Sequence, residues 1–183
     1  MKKRNSRWKT GAAILLSVIC LIFAGCSKPD EQEQIKESIK TVVELQMNAP
    51  DEKAIFQNYM SDRIEDSGTG FDQYHAYLEE TYAPYFTEST FEQYILTNEF
   101  VIFHWAADRN GYQLKVNEVD VEQNEVTPTN YNFTVDLDYV NKDGEKTPIE
   151  VTGVAIMRDD KIAKMSYLGD KQLLRKLFDK GLD

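Results

Sequence analysis

Tyr131-Asn132-Phe133-Thr134-Val135-Asp136-Leu137-Asp138-Tyr139 alternates an aromatic or aliphatic residue with a polar one at every step. Period two of this length predicts a β-strand buried on one face, because successive strand side chains point to opposite sides. Asn141-Lys142-Asp143-Gly144 follows as a turn signal, and Ile149–Met157 reads as the returning strand. Upstream, Tyr112, Leu114 and Val116 alternate with polar residues, and Val119 and Val121 resume the pattern after a one-residue slip, as at a bulge. Downstream, Asp159-Asp160 turns the chain into a further strand, Lys161–Leu168. Leu173, Leu174, Leu177 and Phe178 have the spacing of a closing amphipathic helix.

The first half has a different period. Ile35, Ile39, Val42 and Val43 fall on one face of a helix, with Asp30 and Glu33 spaced as a capping box ahead of them. Asn48-Ala49-Pro50 ends that helix, and Pro50-Asp51-Glu52 predicts the start of a second, with Ile55, Phe56, Tyr59 and Met60 on its apolar side. Ser67-Gly68-Thr69-Gly70 reads as a loop. Phe71, Tyr74, Leu78 and Tyr82 then define a third helix that Pro84 ends. Ser89 with Glu92 predicts a capping box for a short helix carrying Phe91, Tyr94 and Ile95. Helices first and an antiparallel meander second give an α+β domain: N-terminal helices packed on a curved, cone-like antiparallel sheet, plus a C-terminal helix.

The N-terminus predicts an address. Lys2, Lys3, Arg4, Arg7 and Lys9 precede an apolar run from Gly11 to Ala24 that is too short to span a bilayer. Phe23-Ala24-Gly25-Cys26 resembles the lipobox of bacterial lipoproteins, with Phe23 where leucine is usual. The resemblance implies cleavage before Cys26 and diacylation of its sulfur, so that residues 1–25 are a signal peptide, 26–29 a short tether and 30–183 a single α+β domain. The expected location is the outer face of the cell membrane, with the membrane itself as a partner through the lipid on Cys26. Removal of residues 1–25 shifts the net charge from −10 to about −15. An acidic surface of that size argues against nucleic acid as a partner. Cys20 leaves with the leader and Cys26 becomes the anchor, so an intramolecular disulfide is not expected.

The order of elements from Asp30 to Leu168 is similar to the nuclear transport factor 2-like, or cystatin-like, cone. Tyr85-Phe86-Thr87-Glu88-Ser89-Thr90-Phe91 with the strands at Tyr112–Val121 and Tyr131–Tyr139 resembles small extracytoplasmic members of that group. The resemblance implies a pocket between helices and sheet, which some relatives use for isomerase or dehydratase chemistry and many use only to bind or dock.

Chemistry-bearing motifs are sparse. His75 and Glu79 stand at i, i+4 on a helix, two ligands where a metal site needs at least three, so no metal and no cofactor are expected. Tyr139–Glu150 mimics a calcium loop at Asn141, Asp143, Gly144 and Glu150 but has Tyr139 in place of the first aspartate, and a β-hairpin accounts for it. Asp136 and Asp138 fall on the polar face of their strand, away from any core pocket. His104 interrupts the apolar run Phe100–Trp105 and reads first as a satisfied core histidine. Two classes of function remain open. One is a non-catalytic module that binds a small apolar ligand or docks an envelope protein. The other is a cone-fold enzyme of isomerase or dehydratase type acting on a small apolar substrate, with His104 or His75 as base and a tyrosine as hydrogen-bond donor.

Overall fold

The computed structural model describes residues 28–56, 69–168 and Leu177. The leader, Cys26 and, apart from Leu177, the predicted closing helix lie outside them, as do Tyr59 and Met60. The chain divides into two compact units, Met1–Gln34 and Ile35–Asp183. Of the first, residues 28–34 are helical, with residues 31–34 exposed. Everything below concerns the second, apart from the helix that begins in the first. Among the described residues no helix is long and apolar enough to cross a membrane.

The order is α1 (Lys28–Met47), a 3₁₀ turn (Glu52–Ala54), α2 (Thr69–Tyr82), α3 (Glu88–Thr97), α4 (Ile102–Asn110), β1 (Gln113–Gln123), β2 (Asn130–Val140), β3 (Lys146–Arg158) and β4 (Lys161–Tyr167). It is an α+β fold in which helices pack on a four-stranded antiparallel open sheet of order β1-β2-β3-β4. Strand β2 is central and behaves as its alternation predicts. Tyr131, Phe133, Val135, Leu137 and Tyr139 are buried, while Asn132 and Asp136 are exposed. The slip in β1 is a register shift between Val116 and Glu118. The hairpin at Asn141–Gly144 closes with Asn141 Oδ1 accepting from the amides of Asp143 and Glu145, and with Gly144 at a φ of 84°. Only a residue without a Cβ takes that φ freely.

Four sequence expectations need correction. Helix α1 begins at Lys28, two residues before the predicted Asp30 cap. The segment after Pro50 forms only the short Glu52–Ala54 turn, which Asp51 caps by accepting from the Lys53 amide at 3.0 Å. Thr69 and Gly70 belong to α2, not to a loop. In the first turn of a helix the amides lack intrahelical partners anyway, so weak helix formers are tolerated there. Helix α3 starts at Glu88, and its N-cap is Thr87 rather than Ser89. The Thr87 carbonyl accepts from the amides of Thr90 and Phe91, at 3.0 and 2.9 Å.

Phe100 centres the core where α2, α3 and α4 meet. It stacks on Tyr82 at 4.3 Å between ring centroids and touches Phe86, Phe91 and Tyr94 at 5.1–5.5 Å. Aromatic contacts of this kind add to what burial of the rings contributes. Each edge strand is covered over part of its length, which shortens the open backbone that invites pairing with another chain. Along β1, Ala49 exchanges two backbone hydrogen bonds with Leu114, and Asn48 Oδ1 accepts from the Val116 amide. Along β4, residues 85 and 87 bond Ile162, and the hydroxyls of Thr90 and Tyr94 take the Ala163 and Met165 carbonyls.

Candidate functional site

Buried polar side chains are the first places to look for chemistry, because each must be partnered or used. Among the described residues, Gln46, Thr90 and His104 are buried, and Tyr167 joins them through its hydroxyl.

His104 is 1% exposed. Its Nδ1 accepts the Asp51 amide at 2.9 Å and its Nε2 faces the Leu45 carbonyl at 2.9 Å, so the neutral ring carries its proton on Nε2. The same carbonyl accepts from the Tyr82 hydroxyl at 3.3 Å. Leu45 is in the last turn of α1, where carbonyls have no helical partner, so His104 and Tyr82 close that helix end. Burial holds the His104 pKa below its ordinary value, against smaller opposing effects of the Leu45 bond and the Asp51 charge. Both nitrogens are therefore committed to backbone. His75 is elsewhere, partly exposed on α2, with Glu79 4.0 Å away. Among the described residues no three His, Cys, Asp or Glu side chains gather as a metal site would require.

A cavity of about 540 Å³ opens between the end of α1, the α3–α4 corner and β4. Its walls include Gln46, Tyr94, Phe103, Lys164, Met165 and Tyr167. That volume is in the range of small-molecule sites, which combine an apolar lining with a few placed polar groups. Neither His104 nor His75 lines it. Phe103 meets the Tyr167 ring edge-on at 5.2 Å, and Phe133 meets it edge-on at 5.5 Å. Held by these two rings, Tyr167 donates its hydroxyl to Gln46 Oε1 at 2.6 Å. Enclosure of that hydroxyl raises its pKa well above the ordinary value. The Tyr94 hydroxyl donates to the Met165 carbonyl at 2.8 Å and accepts the Met165 amide at 3.1 Å. Burial raises its pKa too, although the Met165 bond works against the rise. Thr90 donates to the Ala163 carbonyl and accepts from Thr87, each at 2.8 Å.

Gln46 and Tyr167 are the residues that motif reading misses. One signal was present: Gln46 occupies the apolar stripe of α1 next to Val43 and Met47, where a polar residue is out of place. Nothing in the sequence pairs it with Tyr167, 121 residues away.

No protein-family model matches the chain. No curated protein matches it either. Three solved structures align with parts of the chain. A de novo designed β-sheet protein aligns at 16% identity and a TM-score of 0.43, over 75% of this chain and 90% of its own. A protein assigned as the transfer protein TraH of the Gram-positive conjugative plasmid pIP501 aligns at 15% identity and 0.42, over 79% and 96%. A protein assigned as a polyketide cyclase from Pseudomonas putida KT2440 aligns at 13% identity and 0.32, over 41% and 62%. Likenesses this distant carry no inference about activity or partner.

Proposed function

We propose that the protein is a membrane-anchored, extracytoplasmic bacterial lipoprotein whose folded unit is a non-catalytic ligand-binding or docking module of the nuclear transport factor 2-like cone type. One observation carries the non-catalytic part: the buried hydrogen-bonding groups named above are taken up in internal bonds, and the carboxylate that lines the cavity, Glu99, is exposed at its rim. His104 spends both nitrogens on backbone groups, and the Tyr94 and Thr90 hydroxyls are taken up by β4. A general base must reach the proton that it removes, and the buried Gln46, Thr90 and Tyr94 side chains offer no such base deep in the cavity. What is left is a shaped, mostly apolar recess with polar points, which suits recognition.

The anchoring part rests on the basic head, the apolar run and Phe23-Ala24-Gly25-Cys26. Two acyl chains give durable attachment, whereas a cleaved and unlipidated chain would be released. Fractionation of cells producing the native protein and Cys26→Ala tests it. The native protein is expected in the membrane fraction and the variant, once processed, in the soluble one. Equal membrane retention of both at normal processing would refute the anchor.

A further inference from the structure

We propose that the cavity between α1, the α3–α4 corner and β4 takes a small, flat, apolar molecule that presents a carbonyl or carboxylate oxygen to Gln46, an inference that rests on the ligand-binding reading above. Gln46 is 2% exposed and lines the cavity. The Tyr167 hydroxyl fixes which way its carboxamide faces by donating to Oε1 at 2.6 Å. The amide nitrogen is then turned away from Tyr167 and has no hydrogen-bond partner among the described residues. None of the sealed side-chain polar atoms among those residues lacks a partner. The Gln46 nitrogen is consequently reachable, and the cavity is what it reaches into. A carboxamide N–H₂ only donates, so the complementary group is an acceptor oxygen.

The other deep polar groups do not compete for that oxygen. Thr90 and Tyr94 are engaged with β4 backbone, as described. The apolar part of the ligand is set by the wall. Phe103, Met165 and the Tyr167 ring form it, and the two edge-on contacts at 85° and 80° keep Tyr167 from turning. A flat ring system can lie against such a wall in the offset or edge-on arrangements that aromatic groups favour. At the rim, exposed Lys164 and exposed Glu99 offset each other in charge, so a neutral carbonyl and a carboxylate are both admitted.

The test titrates the purified, ¹⁵N-labelled full-length chain with 2-naphthoate, 2-naphthamide and naphthalene. The first two are expected to move the Gln46 side-chain amide signals together with the backbone signals of Phe103, Met165 and Tyr167. They should bind about tenfold or more tightly than naphthalene, which leaves the buried donor unpaired. Gln46→Met should bring the three probes to equal affinity. Because that variant also removes the acceptor of Tyr167, Ile102→Trp provides a second arm that fills the cavity from its mouth and leaves the Gln46–Tyr167 pair intact. It should weaken all three probes. Equal binding of the three to the parent, shifts confined to residues outside the cavity, or no binding at all would overturn the proposal. Those outcomes leave membrane retention and docking of a protein untouched, while release of the native chain from membranes would refute the anchor without bearing on the cavity.

Discussion

His104 and Gly153 show how single residues constrain this fold in ways that their type alone does not announce. His104 accepts the Asp51 amide on Nδ1, so a second proton on the ring would set N–H against N–H. With the folded-state pKa held below the unfolded value near 6.5, the unfolded chain binds the proton first as pH falls. The stabilisation is therefore fully present above about pH 6.5 and is lost progressively as pH falls toward the folded-state pKa. Denaturant midpoints measured from pH 8 to 5 should fall through that window for the parent. They should fall less steeply for His104→Gln, which starts lower and has no proton to gain. Parallel curves would mean that His104 is not what titrates. Gly153 is opposite Phe133 in the sheet, and a Cβ there would clash with the edge of the Phe133 ring and come 2.7 Å from the Ser166 carbonyl oxygen. Gly153→Ala should cost about 1–3 kcal/mol, the usual range for overpacking. Adding Phe133→Leu should cost less than the sum of the two single changes, because both relieve or create the same clash. Strict additivity in urea melts would contradict the contact.

Elements whose residues answer only to their own period were readable in advance. Strand β2 alternates from Asn130 to Tyr139 because one face meets the core and the other is more open to water. The α3 cap is Thr87 and not Ser89, and local spacing does not encode it because Thr87 takes part in a non-local pairing, its amide bonding the Ile162 carbonyl at 3.0 Å. The cavity was not legible for the same reason: it is assembled from α1, α3, α4 and β4, and no local pattern encodes their meeting. Register is another property that alternation leaves open. The sequence puts Asp136 and Asp138 alike on the polar face. The pairing separates them. Asp136 is flanked by Glu118 on β1 and Glu150 on β3, three carboxylates in a row. Asp138 instead accepts from Lys146 Nζ at 3.1 Å, a bond that holds its carboxyl below the usual range. Like charges directly opposite in a sheet are destabilising, so Asp136→Asn should stabilise by roughly 0.2–1 kcal/mol at low salt. The gain should shrink as salt screens the row. Asp138→Asn should shift the midpoint the other way. Equal shifts of one sign for both variants would show that the register does not govern these charges.

Across the fold, long-range contacts decide how much of the chain must be present for the rest to hold. Leu177 is fully buried, and its carbonyl accepts the Tyr112 hydroxyl at 2.6 Å across 65 residues. Tyr112 stands where α4 gives way to β1. Its amide bonds the Ala107 carbonyl at 3.1 Å, next to Gly111 at a φ of 71°, and its ring packs on Tyr139 at 5.0 Å. Burial raises the pKa of that hydroxyl, so it is a neutral donor at every physiological pH. A chain ending at Leu168 would lose both the Leu177 side chain and the acceptor for Tyr112. Leu177→Ala in the full chain isolates the first loss and should cost about 2–5 kcal/mol, as cavity-forming leucine changes do. Truncation should cost more, because a buried hydroxyl left without its partner adds about 1–3 kcal/mol. Tyr112→Phe then separates the two contributions. It should destabilise the full chain, where it removes a made bond, and be neutral or favourable in the truncated chain, where the hydroxyl has nothing to bond. Urea midpoints of the four chains form a closed cycle, and a Tyr112→Phe effect of the same size in both backgrounds would refute the contact between Tyr112 and Leu177 as a source of stability.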